Sequence, residues 1–317
     1  MDQQPRRKKI VLGRNKKAIF LLLFWMIFQS GFSQNTSDSF FKPSDSLDIK
    51  RQNAVVISEA VLSTGTLIAL NQAWYAEYPK SDFHFINDNS EWLQMDKAGH
   101  VFSSYHLGRF GAEMLEWSGS NKKNQILYGA GLGFAFLTAV EVLDGYSSEW
   151  GASLGDVVAN ASGTALYVSQ ELIWKEQRIT PKFSFHTTKY ASYRPDVLGS
   201  SLTEQILKDY NGQTYWLSVN LHSFAKGSKI PKWLNLALGY GADGMITGNK
   251  EDNPPILTSN PQRFRQFYLS LDVDLTKIKT KSHFLKTVFS VFNTVKIPAP
   301  TIEFVHFNDI KYHFIYF

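Results

Sequence analysis

The residues best placed to do chemistry are polar side chains that recur at helical spacing inside apolar stretches. In two stretches the positions follow the spacing i, i+4 and i+7, and a third stretch ends in acidic residues. These residues are Asp96, His100 and Ser103; Asp156, Asn160 and Gly163; and Glu141 with Asp144. Positions spaced this way share one face of a helix. Because burying polar groups is costly unless they meet partners, we expect a helix bundle that brings His100 near Glu141 and Asp156.

Such a cluster suits three kinds of chemistry. It could bind a metal ion, hold a lipid head group, or transfer protons with His100 as the acid or base, oriented by Glu141 or Asp156. A structural network of ion pairs, with Asp96 and Asp156 at helix starts, explains the same pattern. We assign no metal from the sequence, because imidazole metal sites usually contain more than one histidine and His106 lies about 120° from His100 around the helix. The cofactor, if any, is left unknown.

Four long helices are predicted to position these residues, because no proline occurs between Pro79 and Pro181. The expected helices cover residues 53–74, 92–117, 124–143 and 153–174. The third is apolar and has glycines at short spacing, as in helices that associate in lipid, and aromatic residues at the helix ends resemble an interfacial belt. We therefore expect a membrane-associated bundle over residues 53–180. The alternative is a buried hairpin in a water-soluble bundle.

The remaining residues, 181–317, are predicted to form an antiparallel β domain. Apolar and polar residues alternate in Tyr215–His222 and Phe267–Leu275, so each strand has one face of each kind. Further candidate strands cover residues 182–190, 233–245, 284–292, 301–307 and 310–317, and Leu202–Lys208 could be a short helix. Strand length and aromatic ends favour a barrel-like wall, although a closed membrane barrel needs at least about eight strands. A soluble sandwich is the alternative. The expected fold class is α+β, with the four-helix bundle followed by this domain.

Charge and composition place the protein outside the cytoplasm. The net charge is +5, but seven basic residues and one acid lie in the first 17 positions, and the chain from Gln34 onward sums to −1. Nucleic-acid binding therefore loses its main support. Eleven apolar residues, 18–28, precede the small residues Gly31 and Ser33, which is typical of a signal peptide over residues 1–33, with an uncleaved anchor as the alternative. Residues 34–52 are expected to form a linker. The absence of cysteine excludes disulfides, thiolate metal sites and a lipidated cysteine.

The order of the polar motifs resembles a known family. The motifs are Asp96-Lys97-x-x-His100, then Glu141 and Asp144-Gly145, then Gly151-x-Ser153-x-x-Asp156-x-x-x-Asn160-x-x-Gly163. They resemble the YfiM-like family, a domain of unknown function described as predicted periplasmic lipoproteins. More distantly they are similar to VanZ-like membrane proteins, which are linked to glycopeptide resistance. The resemblance covers about residues 94–174 and implies a compact bundle at the membrane. It implies no reaction, and the lack of cysteine departs from the lipoprotein description.

Together these features predict an exported protein of the cell envelope, with the outer membrane favoured over the inner membrane. It would bind or organise membrane lipid or cell-wall material through the polar centre of the bundle. The alternative is a membrane-embedded enzyme that acts on a lipid-linked or glycan substrate, with His100, Glu141 and Asp156 as the catalytic candidates. The expected ligand-binding residues are Asp96, Lys97, His100, Glu141, Asp144, Asp156 and Asn160.

Overall fold

The computed structural model describes residues 34–72, 78–249, 262–305 and 309–317. The predicted signal peptide lies outside these ranges. Five longer helices are described in the first half: α1 (Gln34–Phe41), α2 (Ile49–Leu70), α3 (Met95–Trp117), α4 (Lys122–Gly145, π-helical over Gln125–Ala130) and α5 (Leu154–Ile173). A short parallel pair, β1 (Phe85–Ile86) and β2 (Ala152–Ser153), joins the loop before α3 to the start of α5. The predicted linker thus contains α1 and also Asp48, whose side chain caps α2.

Helices α3, α4 and α5 form the packed part of the first half, and close contacts at small residues set their spacing. A Cβ added at Gly133 of α4 would lie 2.1 Å from the carbonyl oxygen of Ser104 on α3. One added at Gly163 of α5 would lie 2.0 Å from the Ser104 Oγ. Only glycine allows these helices to approach so closely.

The predicted four-helix bundle is not confirmed. The first of the expected helices corresponds to α2, whose apolar stretch is only 6% buried. Its attachment is at its N-terminal end, where the Arg51 guanidinium lies 4.6 Å from the Trp117 ring centroid and hydrogen-bonds the Trp117 carbonyl. A predominantly apolar helix cannot be told from a bundle helix by composition, so the sequence could not show that α2 stands apart from the other three.

The second half is built on one antiparallel sheet in which strands follow one another in chain order. The strands are β3 (Ile179–Phe185), β4 (Gln213–Asn220), β5 (Leu234–Asp243), β6 (Phe264–Val273), β7 (Ala299–Val305) and β8 (Asp309–Tyr316). Short helices lie between strands: α6 (Pro195–Leu198), α7 (Leu202–Lys208), α8 (Leu221–Phe224) and α9 (His283–Phe292). Helix α7 confirms the helical alternative for Leu202–Lys208.

Two predictions about this half are wrong. The sheet does not close into a barrel, because among the described strands β3 and β8 are edges and are not paired with each other. Residues 284–292 are not a strand but most of α9, which Ser282 caps by accepting a hydrogen bond from the Leu285 N–H. Their apolar residues recur in pairs at helical intervals, and that pattern was mistaken for a strand.

The sheet has a polar interior and an apolar exterior. Ser270, Asp272 and Asp274 are all buried, and Asp272 forms an ion pair of 2.7 Å with Lys182, both side chains being fully inaccessible to solvent. The opposite face carries exposed leucines, such as Leu217, which is 44% exposed. This arrangement is the reverse of a water-soluble sheet and matches strands whose outer face meets lipid.

The helices also leave apolar surface uncovered. In the described part of the chain, α2 and α4 are long and apolar enough to cross a membrane, by length and composition alone. Exposed side chains on α2 include Ile57 and Leu62, and Leu172 and Ile173 are exposed near the end of α5. Extended apolar surface on a folded protein marks contact with a partner or with lipid.

Helix α3 connects the two halves through buried polar contacts. The His106 Nε2 donates to the Pro181 carbonyl at 2.7 Å, and Arg109 Nε donates to His106 Nδ1 at 3.2 Å. Arg109 also donates to the Ser290 carbonyl near the end of α9 at 3.1 Å. Burial, assisted by the Arg109 charge, holds the pKa of His106 well below its usual range. His106 is therefore a neutral structural histidine that fixes α3 against the sheet.

Candidate functional site

Three helices and the loop before α3 bring their polar residues to one place, which we call the polar cluster. Its members are Asp88, Asp96, Lys97, His100, Glu141, Asp156 and Asn160. Residues 96, 97 and 100 come from the first two turns of α3, Glu141 comes from α4, and residues 156 and 160 come from α5. The shared helix faces inferred from the i, i+4 spacing thus point towards one another.

His100 lies at the centre of the polar cluster. Its Nδ1 is 2.9 Å from Asn160 Oδ1. Its Nε2 is 3.7 Å from Asp96 Oδ1, 3.8 Å from Glu141 Oε1 and 3.7 Å from Asp156 Oδ1. These three distances exceed hydrogen-bond length, so the ring nitrogen faces three carboxylates without bonding directly to any.

Lys97 supplies the permanent positive charge of the polar cluster. Its Nζ donates to Asp88 Oδ2 at 2.7 Å, lies 2.8 Å from Asp156 Oδ1 and 3.2 Å from Asp96 Oδ2. Burial acts to lower the pKa of Lys97, but the carboxylates of Asp96, Asp156 and Asp88 outweigh it and raise the pKa above its usual range. Lys97 therefore stays protonated and holds three carboxylates from two helices and a loop.

Ser153, which precedes α5, orients two acidic residues of the polar cluster. Its backbone N–H donates to Glu141 Oε2 at 3.0 Å, and its hydroxyl donates to Asp88 Oδ1 at 2.6 Å. The same hydroxyl accepts from the Asp156 N–H at 3.2 Å, the usual hydrogen bond of a serine at a helix N-terminus. The residue that caps α5 thus fixes two carboxylates, one from α4 and one from the loop before α3.

The backbone just before Asp96 is strained. Trp92, Leu93 and Gln94 have φ angles of 47°, 52° and 65°, a region that residues other than glycine seldom occupy. Contacts from the sheet hold this turn: Arg265 Nη2 donates to Gln94 Oε1 at 2.6 Å, and the Tyr240 hydroxyl donates to the Leu93 carbonyl. The second half of the chain therefore fixes the start of α3, and with it the direction of Asp96.

Two acids of the polar cluster, Glu141 and Asp156, have pKa values raised to near neutrality. Burial raises the pKa of Glu141 to about 7, although the Ser153 N–H and His100 oppose the shift. Burial, followed by the charge of Asp96, raises the pKa of Asp156 to about 7. Burial acts to lower the pKa of His100, but the nearby carboxylates, led by Asp96, reverse this and raise it. Protons can thus be exchanged within the polar cluster close to pH 7.

The polar cluster forms one wall of a cavity of about 290 Å³ between α3 and the second half of the chain. Asp96, His100 and Ser103 line the helix side, and Tyr210, Gln213 and Tyr215 line the other side. The lining also includes the apolar side chains of Phe102, Leu137, Ile206 and Leu207. The cavity is therefore lined by a mixture of polar and apolar side chains. The Tyr210 hydroxyl donates to Asp96 Oδ1 at 2.8 Å and joins the two halves at this point.

Of the expected ligand-binding residues, all except Asp144 are members of the polar cluster. Asp144 lies three residues beyond Glu141, where its charge contributes to the raised Glu141 pKa, and its ligand-binding role stays a prediction. Sequence reasoning missed Asp88 and Tyr210. Asp88 stands in a polar loop with no helical spacing to the other residues, and Tyr210 lies between the expected elements Leu202–Lys208 and Tyr215–His222. Lys97 and Ser153 hold Asp88 at the site within the first half, and the pairing of the two halves brings Tyr210 to it.

The structure defines a helix-and-sheet protein with a polar cluster at the wall of a cavity. Residues 82–170 match the model of a family described as predicted periplasmic lipoproteins (DUF2279). This segment is a little over a quarter of the chain, and it contains every member of the polar cluster but not Tyr210. The match supports export to the cell envelope and assigns no activity. The likeness to YfiM-like and VanZ-like proteins stays a prediction. No curated protein and no solved structure matches the chain.

Proposed function

We propose that the protein is an envelope protein that works at a lipid surface and binds a membrane lipid in the cavity beside the polar cluster. The observation that carries this proposal is the mixed lining of the cavity, which combines the polar Asp96 and His100 with the apolar Phe102, Leu137 and Leu207. A lipid offers the same two kinds of surface, because its head group is polar and its chains are apolar. Ligand pockets commonly combine apolar walls with a few convergent polar groups in this way.

The exterior supports contact with lipid. The apolar stretch of α2 and the outer face of the sheet are exposed, whereas Lys182 and Asp272 are sealed inside. In water this arrangement would leave apolar surface uncovered while burying charges. Against a membrane the same surface is covered by acyl chains. The match to a family of predicted periplasmic lipoproteins supports the same location.

The test measures binding of a fluorescent phosphatidylglycerol analogue to the purified full chain in mild detergent. Ser103→Phe places a ring in the cavity and should weaken saturable binding about 10-fold or more. Ser162→Phe is the matched control, because Ser162 is exposed on α5 and should leave binding unchanged. Equal binding by both variants, or no saturable binding by the unmodified protein, would contradict the proposal. Preferential binding of a soluble cell-wall fragment would also replace the lipid assignment.

A second candidate function is catalysis on a lipid-linked or glycan substrate. It is favoured by His100, which lines the cavity and has its Nδ1 held by Asn160, the geometry of a positioned acid or base. Nearby Glu141 or Asp156 would relay the proton. Turnover of a bound lipid that is lost in His100→Gln, while lipid binding persists, would establish this function in place of binding alone.

A further inference from the structure

We propose that the polar cluster holds a divalent transition-metal ion, bound by Asp96, His100 and Asp156 and open to the cavity. One ligand atom from each of these residues lies within 4.8 Å of the other two. The inference deepens the proposed function, on which it rests, because a cation at the cavity wall would attract the anionic phosphate of a lipid head group.

The first support is the space around His100 Nε2. Carboxylate oxygens of Asp96 and Asp156 each lie 3.7 Å from this nitrogen, too far for a hydrogen bond. Two ligands bound to one ion at about 2.1 Å can lie up to about 4.2 Å apart. A metal ion between the three groups therefore fits their spacing, whereas direct contact does not.

The second support is the orientation of the ligands by outer groups. His100 Nδ1 contacts Asn160 Oδ1 at 2.9 Å, so its N–H is directed to the amide and its Nε2 is directed to the carboxylates. The Tyr210 hydroxyl donates to Asp96 Oδ1 at 2.8 Å. Metal-bound histidines and carboxylates are typically held by hydrogen bonds of this kind.

The third support is a shortage of partners inside the polar cluster. Asn160 Nδ2 is inaccessible to solvent and makes no hydrogen bond, and Asn160 as a residue is 0% exposed. Four carboxylates, from Asp88, Asp96, Glu141 and Asp156, surround two groups that can be cationic, and Lys97 Nζ, 2.8 Å from Asp156 Oδ1, is shared among three of them. An ion would add positive charge, and a water molecule that it carries would give Asn160 Nδ2 an acceptor.

A single histidine is no obstacle to this site, because carboxylates from two helices complete the set. One nitrogen and several oxygen ligands suit Zn²⁺ or Mn²⁺. Asp96 and His100 both line the cavity, so the ion would keep a coordination position for an oxygen of the bound molecule. Glu141 Oε1 also lies 3.8 Å from His100 Nε2.

The experiment titrates Zn²⁺ and Mn²⁺ into the EDTA-treated full chain by calorimetry and counts bound metal by mass spectrometry. We expect one ion per chain and a rise in the unfolding temperature on Zn²⁺ addition. Asn160→Leu should weaken binding about 10–100-fold, whereas Asn160→Asp keeps an acceptor for His100 and should retain binding. His100→Gln should abolish it. His84→Gln, which alters a histidine outside the polar cluster, is the control and should bind like the unmodified protein.

Failure of stoichiometric binding by the unmodified protein with both ions would overturn the proposal, and so would equal affinity in the His100→Gln and His84→Gln variants. Asn160→Leu and Asn160→Asp both keep the three proposed ligand residues. Weaker metal binding by the leucine variant alone would therefore come from the lost hydrogen bond to His100 and not from a lost ligand. Phosphatidylglycerol binding is measured separately in the presence of EDTA. Lipid binding without metal binding would reject the ion alone, and metal binding without lipid binding would reject the proposed function alone.

Discussion

Substitution of Lys97 by methionine provides the sharpest test of how the polar cluster is held together. The Lys97 side chain is 15% exposed, and its Nζ contacts Asp88 and Asp156 at 2.7 and 2.8 Å. Methionine keeps most of the apolar stem but removes the charge. Two well-buried carboxylates then lose their cation. Removing one partner of a buried ion pair costs about 3–5 kcal/mol, so we expect the free energy of unfolding to fall by that amount.

Lys122→Met is the matched control for this prediction. Lys122 also pairs with a carboxylate, that of Glu171, but its side chain is 52% exposed. Exposed ion pairs contribute about 0–1 kcal/mol, and the control should lose no more than that. Both variants would be unfolded in urea with EDTA present, and the transition followed by tryptophan fluorescence and circular dichroism.

A double variant separates the loss of charge from a change in packing. Adding Asp88→Asn to Lys97→Met removes one of the stranded carboxylates and should recover about 0.5–3 kcal/mol, so the two changes would not be additive. The reasoning is refuted if Lys97→Met costs no more than Lys122→Met, or if the second change makes the protein less stable still. Either result would mean that the carboxylates are already solvated or protonated without Lys97.

Two further predictions concern packing and pH. Gly133→Ala should lower the free energy of unfolding by about 1–3 kcal/mol, because the added Cβ would meet the Ser104 carbonyl. Gly131→Ala should raise it by about 0.5–1 kcal/mol, because the Cβ added there has no atom within 4 Å and alanine favours the helix. Thermal unfolding of the two variants tests both predictions, and equal changes in unfolding temperature would argue against close contact between α3 and α4. Burial lowers the pKa of Lys296 from 10.5 to about 8. Between about pH 8 and 10.5 the unfolded chain binds more protons than the folded chain, so the free energy of unfolding should rise with pH, by up to about 3 kcal/mol over this range. Lys296→Met should remove this contribution to the dependence of stability on pH. Identical slopes for the unmodified protein and Lys296→Met at about pH 8–9.5 would refute the lowered pKa of Lys296.

Local periodicity along the chain identifies which residues share a face of a helix or strand. The spacing of Asp96 and His100, and of Asp156 and Asn160, identifies shared helix faces because the helical period is a local property. Strand alternation likewise identified the polar face that Ser270 and Asp272 share, and the structure shows that this face is buried. The short apolar segment at residues 284–292 was misread, since a few apolar residues fit either period.

Local sequence patterns did not predict how many helices pack together or whether the sheet closes. The sequence counted four helices and a candidate barrel, but the structure packs three helices and leaves the sheet open. Helix α2 has the composition of its neighbours and yet stands largely uncovered. Whether an apolar helix meets protein or lipid depends on its partners, and composition does not state them.

The sequence by itself determined which polar residues would be costly to bury and which of them share a helix face. The tertiary structure decided which atoms meet. The approach of α3 to α5 at Gly163 sets the position of His100 relative to Asp156, and pairing with the second half brings Tyr210 to Asp96 across 114 positions of the chain. Such contacts depend on helix separation and rotation to within an ångström or so, which are set by packing at distant glycines and strands and not by local periodicity.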